Sequence, residues 1–358
     1  MAHALRMAAR AQGTTWPNPA VGCVLIKDNR VVGRGHTQPG GRPHAETEAL
    51  AQAGTQARGA TAYVTLEPCA HYGKTPPCAD ALIAAGVARV VVATTDPDPR
   101  VSGAGLARLR DAGVVVDVGV GQAAADKMLA GFFRRIKGGV PWVTLKLALS
   151  LDGRIATATG ESQWITGPAA RHTVHGMRAS HDAVLVGAGT VRADDPMLTV
   201  RGYGLRPQPV RVVVSRDLSL PRDAQLGQTT DQAPVWICHG PTAAQDRRDH
   251  WANLGVRLIE CPLRGGRIDL HATLAALAAA GLTRVFCEGG GQVAASLLIA
   301  DLVDQLEVFS AGVALGAEGQ PGLGALGVDA LAMAPRFALA DVAQIGADVH
   351  HSWIRKTG

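Results

Sequence analysis

The chain has no apolar stretch long enough to cross a membrane. Its most hydrophobic run, Leu274 to Leu282, covers nine residues, against the ~20 a spanning helix needs. No secretory leader is expected either, because His3, Arg6 and Arg10 interrupt the early apolar residues. Aromatic residues make up only 4% of the chain and no basic run exceeds two residues. The interleaved basic and aromatic side chains that grip RNA are therefore missing. Lysine is scarce, with six residues against 29 arginines, so the positions of Lys74 and Lys146 are informative. Nor is there an internal repeat, or a low-complexity tract beyond alanine and glycine richness. These absences point to a cytoplasmic globular protein with no membrane or nucleic-acid partner. The 47% hydrophobic and 18% charged content agrees, and 358 residues favour two domains over one. Charge is uneven: residues 1–140 hold 16 Lys+Arg against 10 Asp+Glu, the remainder 19 against 20. A basic first half suits a phosphorylated substrate, although a solvated arginine-rich surface would look the same.

Six cysteines could make three disulfides, but a long chain without an export signal keeps its thiols reduced. Cys23, Cys238 and Cys287 lie in apolar, strand-like runs and read as core, while Cys261 beside Pro262 has no assignable role. Cys69 and Cys78 each follow a proline and belong with His44-Ala45-Glu46. One histidine and two cysteines supply the three protein ligands of a catalytic zinc site, whose fourth position is kept for water. Glu46 is then free to move a proton from the water to a leaving amine, the division of labour in zinc deaminases. Pro43 can open a helix in its first turn and Ala45 to Ala53 is rich in helix formers, so His44 and Glu46 are placed at a helix N-terminus. A second helix is expected from Cys78, capped by Gly86. Eight residues separate the cysteines, where nucleic-acid and nucleoside deaminases have two. This polar loop places His71 and Lys74 where they could meet an anionic substrate.

The segments TTWPNPAVGCV, PHAE and TLEPCAHYGKTPPC, followed by LKLALSLDGRIATATGESQWITG, GAGTVRADDPMLTVR and the EGGG of residues 288–291, together resemble the bifunctional riboflavin-biosynthesis deaminase/reductase family over nearly the whole chain. The resemblance implies a three-layer α/β/α, cytidine-deaminase-like domain over residues 1–138. A dihydrofolate-reductase-like α/β domain over 139–358 is implied to follow. It implies deamination of a phosphoribosylated diaminopyrimidinone with one zinc ion, then NADPH-dependent reduction of the ribosyl chain to ribityl; a homo-oligomer is expected. In the first half it puts Asn18 on the pyrimidine and His71 and Lys74 toward the phosphoribosyl group. In the second half, NADPH contacts fall on Ala148, Trp164, Thr190, Asp194 and Ser215. They continue along Gly290, Gly291, Gln292, Val293, Ala294, Ala295 and Ser296. Substrate contacts fall on Ser162, Arg178, Leu198, Arg201 and Glu288, with Lys146 nearby. Family members usually carry several residues before the stretch matching MAHALRMAARAQG, so either a shortened first helix or a misassigned start is expected here.

Other roles stay open for several of these residues. Asn18 sits in a Pro-Asn-Pro turn and could serve only there. Arg178 and Arg201 could form surface ion pairs, Trp164 could be core, and Asp194-Asp195-Pro196 could simply end a helix. Gly187-Ala188-Gly189 lacks the third glycine of a dinucleotide fingerprint, since Arg192 stands there. Gly289-Gly290-Gly291, between a strand and a helix, suits a phosphate cradle or a tight turn. Lys146, Asp194 and Glu288 are the candidates for general acid in the reduction. The rival functions are a nucleoside or RNA deaminase, opposed by the long inter-cysteine loop, and a closed structural zinc site, opposed by Glu46 and the absent fourth ligand.

Along the chain, helix and strand signals alternate: helices near 2–12, 45–53, 78–86 and 105–113, and strands near 21–27, 31–37, 61–67, 89–95 and 114–120. Phe132 to Pro141, punctuated by Gly138-Gly139 and Pro141, reads as the join. Strands near 142–149, 182–187, 210–215, 234–239 and 284–288 and helices near 168–179, 270–281 and 292–300 make up the second half, with Arg216 to Ala233 read as loop.

Overall fold

A computed structural model describes residues 1–73 and 76–356, which divide into two compact units, Met1–Gly139 and Val140–Gly358. Among the described residues no helix is long and apolar enough to cross a membrane.

In the first unit, β1 (Gly22–Lys27) turns into β2 (Arg30–His36) through Asp28 and Asn29, both at positive φ. That backbone matches the twist of a two-residue hairpin, and short polar residues tolerate it. With β3 (Thr61–Val64), β4 (Arg89–Val92) and β5 (Val115–Val118) these strands form a sheet of order β2-β1-β3-β4-β5. The hairpin and the β1–β3 pair are antiparallel, the other two pairs parallel. Five helices accompany the sheet: α1 (Ala2–Ala9), α2 (Ala45–Ala53), α3 (Cys78–Ala84), α4 (Ala104–Asp111) and α5 (Gln122–Gly138). Leu25, Val64, Val90, Leu82, Leu109 and Leu129 share one buried cluster. Two glycines set the position of α2. A Cβ on Gly33 would lie 2.1 Å from the Ala49 carbonyl oxygen, and one on Gly35 2.4 Å from that of Ala45. The helix backbone thus rests directly on β2, an approach only glycine allows.

The segment expected as the join contains the division between the units, after Gly139, but most of it is helical. The chain is helical through Gly138, and α5 ends where Gly139 takes a left-handed φ of 66°. Glycine at that position is a helix stop, whereas Gly131 and Gly138 are absorbed inside the helix. Pro43 is also not in the first helical turn: His44 is the N-cap and Ala45 the first residue of α2.

The second unit is built on a nine-stranded sheet. Its strands are β6 (Trp142–Leu149), β7 (Ala183–Gly187), β8 (Val210–Val214), β9 (Val235–His239), β10 (Arg257–Glu260), β11 (Arg284–Cys287), β12 (Gln305–Ser310), β13 (Phe337–Ile345) and β14 (Asp348–Arg355). The order is β10-β9-β8-β7-β11-β6-β12-β14-β13. From β10 to β12 every pair is parallel, and β13–β14 is an antiparallel hairpin at the far edge. The interior strands β7 and β9 are buried at every residue, as expected of parallel strands covered on both faces. The accompanying helices are α6 (Pro168–Ala179), α7 (Ala188–Asp194), α8 (Gln245–Asn253), α9 (Leu270–Ala279) and α10 (Gly291–Ile299). Helices α7 and α8, a single helical turn at Gln225–Gln228 inside the segment expected as loop, and strands β10 and β12 to β14 add to the expected elements. Parallel pairing brings the carboxyl ends of β6, β11, β7 and β8 to one side of the sheet, the usual place for a ligand crevice.

Candidate active sites

In the first unit the ligand atoms of His44, Cys69 and Cys78 all lie within 4.8 Å of one another. His44 Nδ1 is 3.2 Å from the Cys78 sulfur and 3.7 Å from that of Cys69. His44 stands at the N-cap of α2 and Cys78 is the first residue of α3, so two helix N-termini meet here. The Cys78 amide donates to the Cys69 sulfur at 3.3 Å. The Cys69 thiol is held down to about 4, first by its hydrogen bond with Cys78. The same bond and burial push the Cys78 thiol up, and a dication bound between the sulfurs would favour both as thiolates. Glu46, 4% exposed, lies beside them, and burial raises its pKa above the ordinary carboxylate value. One imidazole and two thiols around a common centre, with an acid outside the ligand set, fit a zinc ion with an open coordination position.

Supporting contacts come from a residue that sequence reasoning passed over. Buried Glu67 accepts hydrogen bonds from four backbone amides: Asp96 and Gly103 on Oε2, at 3.2 and 3.1 Å, and Gly105 and Leu106 on Oε1, at 3.0 and 3.3 Å. A Cβ on Gly105 would lie 2.0 Å from the Pro68 carbonyl oxygen, so α4 starts hard against Pro68-Cys69. Farther along α4, Arg108 donates to the Ala70 carbonyl (3.0 Å) and pairs with Asp80 of α3 (2.8 Å). One helix thereby braces both cysteine-bearing segments. The signal was a glutamate ending an apolar strand directly before Pro-Cys.

Asn18 donates its side-chain amide to the Gly41 carbonyl at 2.9 Å, fixing it against the turn that leads into His44. His71, half-buried in the inter-cysteine loop, has a buried Nδ1 without a hydrogen-bond partner among the described residues. Lys74 lies outside the described residues.

In the second unit a cleft of about 1320 Å³ opens along the carboxyl ends of the parallel strands. Single small-molecule pockets run to ~1,000 Å³, so this one has room for a dinucleotide with a substrate beside it. Lys146 and Ala148 on β6, Ser162, Trp164, Arg178 and Thr190 line it. So do Asp194, Leu198, Arg201, Ser215, Glu288, and Gly290 to Val293 with Ser296. Ala294 and Ala295 do not: at 0% and 4% exposure, their side chains turn inward on α10. Trp164 is 67% exposed with the Arg171 guanidinium 4.6 Å from its ring centre, so it is no core residue. Asp194 is both the last residue of α7 and part of the cleft wall, with Asp195 left-handed as the helix cap. The glycine loop owes two of its residues to packing. A Cβ on Gly289 would lie 2.8 Å from Val293, and one on Gly291 2.9 Å from the Pro321 carbonyl oxygen. The N-terminus of α10 that follows faces the cleft and suits an anionic group.

Arg178 is not a free cation. Its Nε and Nη2 bind Glu288 at 2.5 and 3.1 Å, and its Nη1 donates to the Thr199 carbonyl. Lys146 Nζ stands 3.8 Å from Glu288. Burial works to raise the Glu288 pKa, but Arg178 and Lys146 outweigh it and hold the carboxyl below its ordinary value. Sequence reasoning also missed His175, which lines the cleft one helical turn before Arg178. Its Nδ1 accepts from the Arg201 amide at 3.2 Å, and burial followed by Arg178 and Arg201 lowers its pKa to about 4. It is a neutral group between two arginines. Neither Arg178 nor Arg201 is a surface ion pair, since both line the cleft.

Comparison with known proteins gives full-length relatives. The family model for the RibD C-terminal domain matches residues 141–351, and that for the cytidine and deoxycytidylate deaminase zinc-binding region matches residues 1–94. The riboflavin biosynthesis protein RibD of Escherichia coli (strain K12) is 44% identical over 356 residues, covering 98% of this chain and 96% of its own. Acinetobacter baumannii RibD, form 1, superposes with a TM-score of 0.89 at 40% identity, over 99% of this chain and 98% of that one. The Thermotoga maritima diaminohydroxyphosphoribosylaminopyrimidine deaminase/5-amino-6-(5-phosphoribosylamino)uracil reductase superposes with a TM-score of 0.86 at 32% identity, over 99% and 97%.

Proposed function

This chain belongs to the RibD family of bifunctional riboflavin biosynthesis enzymes, and from that premise we propose how its two units divide the work. Residues 1–138 deaminate 2,5-diamino-6-(5-phosphoribosylamino)pyrimidin-4(3H)-one to 5-amino-6-(5-phosphoribosylamino)uracil, and residues 139–358 reduce its ribosyl chain to ribityl. The observation that carries the reading is buried Glu46 beside a His44–Cys69–Cys78 cluster on two helix N-termini.

In the first unit His44, Cys69 and Cys78 hold zinc, which supplies the Lewis acidity that makes water a competent nucleophile near neutral pH. Glu46 takes the proton of the attacking water and returns it to the departing amine, so a C–O bond replaces a C–N bond and ammonia leaves. Asn18 presents an amide donor and acceptor to the pyrimidine, and His71 and Lys74 approach the phosphoribosyl group.

In the second unit NADPH supplies the hydride. Ala148, Trp164, Thr190, Asp194, Ser215 and the turn Gly290 to Ser296 hold the cofactor, the last through the amides opening α10. The side chains of Ala294 and Ala295 contribute only packing behind that turn. Arg201 binds the substrate phosphate, while Ser162, Leu198 and the Arg178–Glu288 pair orient the opened sugar. Glu288, held ionised by Arg178 and Lys146, is a poor proton donor near neutral pH, which leaves Lys146 and Asp194 to protonate the sugar oxygen. The protein is proposed to work in the cytoplasm as a homo-oligomer. Exposed Leu339 and Val342 on the edge strand β13 support association, and light scattering tests it.

The test supplies the phosphoribosylated diaminopyrimidinone to zinc-loaded protein and follows ammonia release and NADPH oxidation together. Ammonia should precede NADPH loss. Glu46→Ala should keep its zinc but abolish both signals until the deaminated intermediate is added. Ammonia without NADPH oxidation, even from that intermediate, would overturn the reductase assignment alone.

A further inference from the structure

The four strands whose carboxyl ends border the cleft lie in the order β6, β11, β7, β8. Lys146 and Ala148 sit on the first, Glu288 to Gly291 follow the second, Gly187 to Thr190 follow the third and Ser215 follows the fourth. Strands are ~4.8 Å apart, so the span from β6 to β8 is roughly 14 Å. A dinucleotide with its reactive ring at Lys146 and its diphosphate at the N-terminus of α10 would bring its other ribose over the end of β8.

Three features converge there. Ser215 is 1% exposed and lines the cleft, yet its Oγ has no hydrogen-bond partner among the described residues. A buried hydroxyl without a partner calls for an explanation, and a ligand oxygen is one. Arg216, the next residue, lines the same wall and donates from Nη1 to the Gly266 carbonyl at 3.3 Å. This leans it against the tip of the small hairpin formed by Leu263–Arg264 and Arg267–Ile268. Gly265 and Gly266 turn that hairpin at φ of 58° and 75° and carry Arg267 to the cleft rim. Arg264, on the facing strand, is paired with Asp269 at 2.9 Å. The side chain of Arg267 has no charged or hydrogen-bonded partner among the described residues.

One acid is nearby. Asp217 also borders the cleft, but its Oδ1 accepts from the Ser219 amide and hydroxyl at 3.2 and 2.7 Å, and Arg247 stands 3.8 Å from its Oδ2. Its charge is therefore answered by its own surroundings. Sites for unphosphorylated dinucleotides place an acid on the ribose hydroxyls, whereas an arginine in that position accommodates a 2′-phosphate.

We propose that Ser215, Arg216 and Arg267 form the pocket for the 2′-phosphate of the adenosine ribose, and that they set the preference of this unit for NADPH over NADH. The proposal rests on reading this unit as a dinucleotide-dependent reductase. Ser215 donates its hydroxyl to one phosphate oxygen, and the two guanidinium groups close on the others from the strand and the hairpin.

Calorimetric titration of the full-length, zinc-loaded protein tests this without turnover, with NADP+, NAD+ and adenosine 2′,5′-bisphosphate as probes. Wild-type protein should bind NADP+ and the bisphosphate more tightly than NAD+. Arg267→Ala and Arg216→Ala should each weaken NADP+ and the bisphosphate by roughly 10- to 100-fold, the effect of one hydrogen bond to a charged group. NAD+, which lacks that phosphate, is the reference and should move by less than about threefold. Arg267→Lys should recover part of the loss, as a point charge without the fork. Equal losses for NADP+ and NAD+, or an unchanged ratio between them, would overturn the assignment of the arginines. Binding of neither dinucleotide by the wild type would remove the reductase reading, and the pocket with it.

Discussion

Replacing Glu67 by glutamine would test whether α4 holds the deaminase site together. The native carboxylate satisfies four amides, two on each oxygen. A glutamine oxygen in the Oε1 position can still receive Gly105 and Leu106, but its NH2 group then faces the amides of Asp96 and Gly103. Two donors lose their acceptor, at about 1–3 kcal/mol each, which sums to roughly 2–6 kcal/mol. For a unit of 139 residues, about 3 °C of midpoint per kcal/mol translates this into a fall of roughly 6–18 °C. Scanning calorimetry of the zinc-loaded protein measures the shift. Hydrogen exchange should also show the amides of Asp96 and Gly103 losing protection. Zinc content should drop, because Arg108 on the same helix braces Ala70 and Asp80 beside the metal ligands. A midpoint within about 2 °C of wild type, with full zinc, would refute the reasoning. Water or the loop itself would then be replacing the carboxylate.

Chelating the metal should abolish ammonia release while leaving NADPH-dependent reduction of the deaminated intermediate intact, measured as NADPH absorbance after dialysis against a zinc chelator. Arg201→Ala should raise the reductase KM or lower its kcat and leave ammonia release unchanged, because the residue lines only the second cleft. His181 is buried between Thr144 and the Met177 carbonyl, and burial, with a smaller effect of Arg284, lowers its pKa to about 3. The unfolded chain takes that proton near 6.5, so the neutral histidine contributes full stability above that pH and loses it progressively as pH falls toward 3. The loss between pH 7 and pH 5 amounts to about 2 kcal/mol. His181→Gln should flatten this part of the pH dependence of the urea midpoint, and an unchanged slope would show that another group carries it.

What could be read from the sequence is what local chemistry dictates. Helix α2 falls on the expected Ala45–Ala53 and α6 on the expected Pro168–Ala179, because runs of helix formers bounded by proline and glycine leave little choice. At Phe132 to Pro141 the same rule found the stop, Gly139, but not the helix before it: α5 runs from Gln122 through Gly138 with Leu129 and Phe132 buried, which outweighs the poor helix propensity of Gly131. The alternation that marks a half-buried strand is blurred in β12, which is paired on both sides, and in β13, whose face is largely exposed. The metal cluster could be assembled from spacing and residue type. The Arg178–Glu288–Lys146 network could not, because its members come from a helix and the ends of two parallel strands far apart in sequence, and nothing local marks Arg178 as the partner of Glu288. Glu67 was hidden for a related reason, since the amides that donate to it lie 29 to 39 positions away.

The pinning of the inter-cysteine loop at both ends bears on how this enzyme could be altered. Ala79 donates to the Cys69 carbonyl and Arg108 to that of Ala70, so the metal-bearing ends are held by bonds that do not involve the residues between them. Lengthening a loop whose ends are already fixed costs only about 0.6 kcal/mol per doubling. His71 to Pro76 therefore form a cassette, exchangeable in length and content without rebuilding the metal centre, through which a new pyrimidine substituent could be admitted or refused.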